Sequence, residues 1–517
     1  MRVTFLGHVG MFVETEGGSV LCDPWFSPAY FGSWFPFPRN DRLDVEPFAN
    51  PDYLYVSHLH LDHFDPAFLE AHVDKRAQVL LPAFELDHLE RALRAVGFTR
   101  FVHTEHAKPV RLGALEVGIV AMTAPADGPA GDSALVLGDA SARILNQNDA
   151  RPRDLHELEA LGPYDAHFTQ FSGAIWYPMV YDFPPAERRA LGIRKREDQM
   201  ERAMHYLRDV GAPHVFPVAG PPCFLDDDLF GVNDLDDDPA NIFPDQTVFL
   251  ALLEQGGISG GELLVPGTVA EITHSGCTFT QPGGELAPES IFADKRGYLE
   301  RYRADYAGWL ADERASWPRR RFDVVRELKE WFEPLLELAP LTRAGVGAPV
   351  LLDLSDSDAG VAVVIDFPVG EVREWAGEDC PYRFEVERAL VEALIEARDE
   401  DWVNRLFLSC RFRAHRDGPY NEYVYTFFKC LSVERMAFCE GYYASRVEVG
   451  TESFRCGDYL VQKRCPHLRA DLERFGVVHG GVLECRVHHW EFDLETGRCL
   501  TSGEAEHRLR TERVVDY

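Results

Sequence analysis

The chain has 517 residues, is 46% apolar and carries a formal charge of −33, from 52 Lys and Arg against 85 Asp and Glu; that is enough for two to four domains with sizeable cores. So acidic a surface repels polyanions and argues against nucleic acid as a partner, while an anionic small substrate stays open because a local pocket can reverse the global sign. No run of about 18 apolar residues marks a membrane span, and eleven scattered cysteines suit a reducing cytoplasm better than a disulfide framework.

In chain order, MRVTFLGHVGMFVET reads as strand, turn and strand, with no basic and apolar leader of a secretion signal. Short strands (VTFLG, SVLCD, DYLYVS) then alternate with helices to about residue 255, an α/β layer pattern. One helix should begin at Asp65–Pro66, with Asp65 as N-cap and Pro66 at the first helical position. The acid-rich stretch Asp226–Asp228 and Asp236–Asp238 reads as a solvated loop. From Tyr298 to about Leu338 the apolar spacing is helical, and VLLDLSDSDAGVAVVIDF reads as a hairpin. The segment YRFEVERALVEALIEARDEDW reads as a helix, EYVYTFFKCLS as an apolar strand, and from about residue 436 short strands and glycine turns take over. The expected division is therefore 1–255, α/β; 256–435, an α+β middle domain without a catalytic motif; and 436–517, all-β.

Near the C-terminus, Cys465 and His467 form a C-x-H pair and Cys485 and His488 a C-x-x-H pair, 17 residues apart. Two thiolates suit one iron and two imidazoles the other, the mixed ligation of a Rieske 2Fe-2S cluster. A structural zinc site commonly groups its cysteines and histidines into like pairs, whereas here each pair is mixed. Pro466, Gly480–Gly481, Trp490 and Asp493 with Gly497 also sit where Rieske domains use them. With no extra cysteine in either loop (Cys499 lies past them), the domain resembles the Rieske ferredoxin and oxygenase type. That resemblance implies that His467 and His488 form an exposed edge through which electrons leave.

The second motif is SHLHLDHFD after the strand DYLYV, where His58, His60, Asp62 and His63 spell H-x-H-x-D-H. It resembles the metallo-β-lactamase superfamily over roughly the first 250 residues, which implies an αββα sandwich and two metal ions. By that resemblance His58 and His60 serve one metal, Asp62 and His63 the other, and Asp149 bridges them. Asp23 would orient the loop, and His8 would match a histidine near the site in the lactonase-like branch. His103, His106, His156, His167 and His214 read as structural. The family's third-motif histidine is missing from TAPADGPAGDS, where Asp127 is the nearest candidate ligand. Its last histidine is missing after HVFPVAG, leaving Cys223 or Asp226 as weak candidates. A site richer in carboxylates suits iron or manganese better than zinc, unless one metal position is empty.

A hydrolase has no use for an electron carrier, so the pairing of these two motifs points to oxygen chemistry. The combination resembles the CMP-N-acetylneuraminate hydroxylase family in its parts, with the domain order swapped. It implies a monooxygenase of a small molecule, hydroxylating carbon or oxidising nitrogen, with His58, His60, Asp62, His63 and Asp149 as the catalytic set. Its partners would be O2 and an external reductase or ferredoxin, and a homo-oligomer stays open. The alternatives are a lactonase-like hydrolase with a structural or regulatory cluster, and a redox sensor or electron-transfer protein. About four irons per chain would favour the first reading, two irons plus zinc the second, and two irons alone the third.

Overall fold

A computed structural model describes residues 1–124, 128–173, 175–355, 360–445, 452–501 and 507–514. The chain divides into two compact units. One comprises Met1–Thr123, Ala130–Met179 and Pro185–Ala315; the other comprises Ala124–Pro129, Val180–Pro184 and Ser316–Tyr517. No helix among the described residues is long and apolar enough to cross a membrane.

The first unit is built on two sheets. One runs Gly276–Thr280, Val269–Thr273, Arg2–Gly7, Gly10–Thr15, Gly18–Cys22, Tyr53–Tyr55, Gln78–Leu81, Phe101–His103. The other runs His214–Val218, Ala166–Gln170, Arg143–Asn148, Gly128–Gly138, Leu115–Ala124, Val110–Leu112. The period-two alternation of side chains decides the layers. Phe5, Met11, Val13, Val20 and Cys22 of the first sheet share one buried cluster with Leu135, Leu137, Ile144, Phe168 and Phe216 of the second. Their strand neighbours Leu6, Phe12 and Leu21 turn the other way, onto Phe68, Leu69, Leu89 and Leu93 of two covering helices. On the far face, Met200, Met204, Leu207, Phe249 and Leu253 of the helices Pro185–Val210 and Gln246–Gln255 pack with Val215. The result is the αββα sandwich.

This unit runs past the expected boundary at residue 255. Val269–Thr273 pairs antiparallel with Arg2–Gly7, Arg2 opposite Glu271. The helix Lys295–Ser316 then buries Tyr298, Leu299, Tyr302 and Leu310 against Phe35, Phe37 and Leu225. The helical stretch read as one from Tyr298 is two helices, the second being Val324–Leu338 in the other unit. The acid-rich loop is pinned by arginines: Arg314 reaches Asp226 and Asp228 (each 2.5 Å), Arg196 reaches Asp234 (3.0 Å) and Arg189 reaches Asp238 (2.8 Å).

In the second unit a five-stranded sheet runs Glu371–Glu374, Val361–Asp366, Pro349–Ser355, Tyr382–Glu387, Phe412–Arg416. The expected hairpin pairs Val350 with Ile365 through Leu354 with Val361; residues 356–359 of its turn lie outside the described residues. Two expectations are corrected. The first six residues of YRFEVERALVEALIEARDEDW are a strand, Tyr382–Glu387, parallel to Pro349–Ser355; only Arg388–Ala397 is helical. Alternate burial of Tyr382, Phe384 and Val386 is the strand signal inside that run. EYVYTFFKCLS is a helix, Glu422–Lys429, N-capped by the Asn421 side chain. All but one of its residues are buried, so no polar face reveals a helical period in so short an apolar run. A further helix, Val433–Ser445, delays the change to β structure beyond residue 436. Two three-stranded sheets follow, Ser453–Cys456 with Tyr459–Gln462 and Thr511–Arg513, and Gly476–His479 with Val482–Cys485 and Trp490–Asp493.

Asp65 caps the helix Pro66–His72 as expected, accepting the Phe68 N–H, and it also accepts the N–H groups of Phe26 (3.0 Å) and Ser27 (2.7 Å). An Asp65→Ala variant should therefore lose about 2 kcal/mol, the upper end for one cap. Urea unfolding followed by the tryptophan signal measures it, and an unchanged midpoint would contradict the cap.

Candidate metal centres

The loop after Tyr53–Tyr55 is organised by a carboxylate with no exposure. Asp23 Oδ1 accepts the Ser57 N–H (2.7 Å), and its Oδ2 lies 3.3 Å from His63 Nδ1. Ser57 Oγ sits 2.9 Å from His58 Nδ1 and 3.1 Å from His63 Nδ1, and the Asp132 carboxylate is 3.3 Å from His58 Nδ1. With both Nδ1 atoms engaged, the two Nε2 atoms turn inward. His58 Nε2 stands 3.8 Å from Asp149 Oδ2 and His63 Nε2 stands 3.6 Å from Asp149 Oδ1. Those two Nε2 atoms and Asp149 Oδ1 are buried, and among the described residues none of the three is hydrogen-bonded. Buried polar atoms are nearly always satisfied, so atoms aimed at one another this way have the chemistry of a metal donor set.

Two trios result. His58, His60 and Asp149 have ligand atoms within 4.8 Å of one another, and so do His8, Asp62 and His63. His8 reaches this group from the turn between the first two strands, its Nε2 3.0 Å from Asp62 Oδ2. Tyr30 donates to Asp62 Oδ1 at 2.6 Å. Three of these positions hold a left-handed backbone without glycine: His8 (φ 54°), Asp23 (φ 37°) and Asn148 (φ 45°), next to Asp149. Such conformations cost of order 1 kcal/mol or more each and gather at functional sites.

Electrostatics follow from burial and the company of the rings. Burial, with the His63 and His60 rings, pushes His58 well below its ordinary value, leaving the neutral ring that coordination requires. Burial opposes charge on Asp62, yet His63 and His8 hold its carboxyl well below the usual range. Burial also opposes charge on His63, but Asp149, Asp62 and Asp23 together raise it to about 10.

Several candidates lie elsewhere. Cys223 is in the apolar cluster with Phe35 and Tyr302, and Asp226 is held by Arg314; neither joins the trios. Asp127 lies outside the described residues. In the same stretch it is Asp132 that reaches the site, as noted. Among the remaining histidines, His103 binds Glu90, His106 binds Glu157 and His156 binds Glu159, while His167 is buried against Gln147. Tyr30 and Asp132 could not be found from the motif, since nothing in their local sequence marks them.

At the other motif, Cys465 and Cys485 are both fully buried. Burial, then the neighbouring Cys485, raises the Cys465 thiol, and the neighbouring Cys465 lowers that of Cys485. The His467 ring stacks on Trp490 at 3.8 Å between centroids and meets His488 edge-on at 5.1 Å. His467 Nε2 is taken by Glu422 Oε2 at 2.7 Å, and Glu422 Oε1 lies 3.4 Å from His507 Nε2. The Nδ1 atoms of His467 and His488 are buried and reached by no described hydrogen bond. Two thiols and two inward Nδ1 atoms fit a Rieske cluster. The expected exposed edge is different at His467, which is only 5% exposed, covered by Glu422 from the helix Glu422–Lys429.

Fold and donor sets together define a metalloprotein with a metallo-β-lactamase-like metal domain and a C-terminal Rieske domain. Family profiles agree: residues 2–132 match a beta-lactamase superfamily domain, 454–512 a Rieske [2Fe-2S] domain and 324–445 an "Rv3818-like, SCP2-like domain". A protein of Mycolicibacterium smegmatis is 47% identical, over 99% of this chain and all of its own length. One of Mycobacterium tuberculosis is 46% identical over the same shares. Both are provisionally named Rieske 2Fe-2S iron–sulfur proteins, and this chain belongs to their family. Among solved structures, an isothiocyanate hydrolase from Delia radicum gut bacteria is similar with a TM-score of 0.37 and 12% identity, covering 53% of this chain and 100% of its own. The diiron β-hydroxylase CmlA from Streptomyces venezuelae is similar with a TM-score of 0.34 and 18% identity, covering 51% of this chain and 52% of its own.

Two predictions follow from this geometry. His58→Ala, His60→Ala and Asp149→Ala should each lose metal outside the cluster while keeping the Rieske EPR signal, whereas Cys465→Ser and His488→Ala should lose that signal; Asp23→Ala should weaken metal retention roughly 10–100-fold, as loss of an outer partner does. Glu422→Gln should keep the EPR signal but raise the midpoint potential, because removing a negative charge beside the cluster favours the reduced form; potentiometric titration reads it, and an unchanged or lower potential would rule out this role for Glu422.

Proposed function

We propose that this protein is an oxygen-dependent monooxygenase of a small molecule, hydroxylating carbon or oxidising nitrogen. The observation that carries the reading is the position of Asp149 between His58 and His63, joining two donor trios in a chain that also has a Rieske ligand set. With iron at both positions and a 2Fe-2S cluster in place, the protein would hold the one-electron donor and the oxygen-binding metals that insertion of an oxygen atom requires.

Each residue then has a task. His58, His60 and Asp149 hold one metal, and His8, Asp62 and His63 the other. Asp23 and Ser57 keep the His58 and His63 rings turned inward, and Tyr30 orients Asp62. Second partners of this kind set ring orientation and ligand basicity. Glu422 holds His467 in place. Four imidazoles and two carboxylates are a donor set less rich in oxygen than the sequence suggested, which favours iron over manganese. The eleven cysteines, two of them assigned to the cluster and none paired in a disulfide, suit a reducing cytoplasm, and the electrons would come from an external reductase or ferredoxin.

Imidazole suits zinc as well as iron, so metal analysis also tests the hydrolase reading. About four irons per chain, with a second iron signal in Mössbauer spectra that responds to O2 after anaerobic reduction, is the expected result. Two irons plus zinc would favour a hydrolase instead. In stopped-flow mixing with O2, the reduced cluster of Asp149→Ala should reoxidise about tenfold more slowly than that of the native protein; equal rates would remove the N-terminal metals as acceptor.

A further inference from the structure

A file of aromatic rings leads from the donor Asp62 to the surface of the first unit. The Tyr30 hydroxyl donates to Asp62 Oδ1 at 2.6 Å and accepts the Leu61 N–H at 3.0 Å. The Tyr30 ring meets Trp34 edge-on, 4.7 Å between centroids. Phe35, the next residue, meets Trp309 at 6.0 Å and Tyr306 at 5.1 Å. Tyr30, Trp34 and Phe35 are buried, whereas Trp309, on the helix Lys295–Ser316, is 38% exposed. Every one of these residues belongs to the first unit.

Ordinary core packing does not account for the file. Tyr30 (φ 53°), Phe31 (φ 58°) and Gly32 (φ 64°) are successive left-handed residues, a conformation that L-residues avoid in runs and that gathers at functional sites. Ala29 and Trp34 close this turn with paired backbone hydrogen bonds of 3.0 and 3.2 Å, and the turn brings the Tyr30 and Trp34 rings together. A Cβ on Gly32 would stand 3.0 Å from the Trp309 ring, so a bare backbone lets Trp309 approach. Trp34 Nε1 is buried without a hydrogen bond, although a core tryptophan usually finds a partner for that N–H. Indole and phenol are also the side chains that give up an electron most readily. The Arg39 guanidinium lies 4.3 Å over the neighbouring Tyr302 ring, where its charge opposes a positive hole. That leaves Trp309 as the outlet.

We propose that Tyr30, Trp34 and Trp309 form an electron-hopping chain between the candidate centre and the surface, and that it supports a second activity, reduction of hydrogen peroxide by small thiols. The inference rests on the oxygenase reading for the metals. Tyr30 gives up an electron together with its phenolic proton, which crosses to Asp62 Oδ1 and returns when Trp34 supplies an electron to Tyr30. Trp309 then refills Trp34, and a thiol at the surface refills Trp309. Two such passages deliver two electrons, and two thiols become one disulfide and release two protons; one hydrogen peroxide takes up both and leaves as two waters.

Two measurements on the full chain test this. In pulse radiolysis, azide radicals oxidise tryptophan, and the hole should pass inward, read as decay of tryptophan-radical absorption with a matching rise of tyrosyl absorption. Trp34→Phe and Trp309→Phe should each lose that phase; if Trp34→Phe fails to fold, the exposed Trp309→Phe carries the comparison. A phase unchanged in the folded variants overturns the chain. In the iron-loaded protein mixed with hydrogen peroxide, freeze-quenched EPR should show an organic radical, which N-acetylcysteine removes about tenfold more slowly in Trp309→Phe. Equal removal overturns Trp309 as the outlet. Iron outside the cluster without such a radical overturns the peroxide activity and leaves the oxygenase reading standing. Absence of that iron removes the oxygenase reading and the peroxide activity together, and the radiolysis phase, which needs no metal, then decides the chain by itself.

Discussion

The candidate centre depends on one buried acid. Asp23 takes the backbone of Ser57 on one oxygen and faces the His63 ring with the other. Ser57 then reaches both His58 and His63. A single carboxylate thereby sets which edge of each ring faces inward. It can do so because it ends a strand in the middle of the first sheet, where burial removes water as a competitor and makes each hydrogen bond count for more. The inward edges, Asp149 and the second trio all take their positions from that choice.

The second unit applies the same principle at longer range. Glu422 belongs to a helix of the SCP2-like region, 45 residues before the imidazole it holds. Cluster ligands and helix thus fall in one compact unit. The middle region, which carries no motif of its own, supplies the residue that decides how His467 is turned and whether water reaches it. The label of a motif-free spacer does not fit a segment that contributes a buried carboxylate to the redox site.

What could be read from the sequence was local. Six residues, His58 to His63, carry four candidate donors because a loop leaving a strand end can fold them together, and that density is visible without a structure. Cys465 to His488 is legible for the same reason. His8 and Asp149 came through resemblance, being far apart in sequence. Tyr30, Asp132 and Glu422 were invisible, because each earns its place only through a long-range contact. The misread segments have a common physical cause. Glu422–Lys429 is buried nearly all round, and Tyr382–Glu387 runs directly into a helix, so hydrophobic periodicity is either absent or blended with its neighbour.

The left-handed backbone at His8, Asp23 and Asn148 bears on how this family can change over time. Glycine at any of them would ease the local backbone conformation, but at Asp23 it would remove the buried acceptor of the Ser57 N–H, and at Asn148 the amide that donates to the Ser133 carbonyl. At His8 and Asp23 it would also delete a donor or the group that aims one. Ease of the local backbone and selection for the centre therefore pull these two positions in opposite directions. A descendant that had given up its metals would be free to drift toward glycine at His8 and Asp23, so the identity of those two backbone-strained residues would record whether the chemistry is still in use.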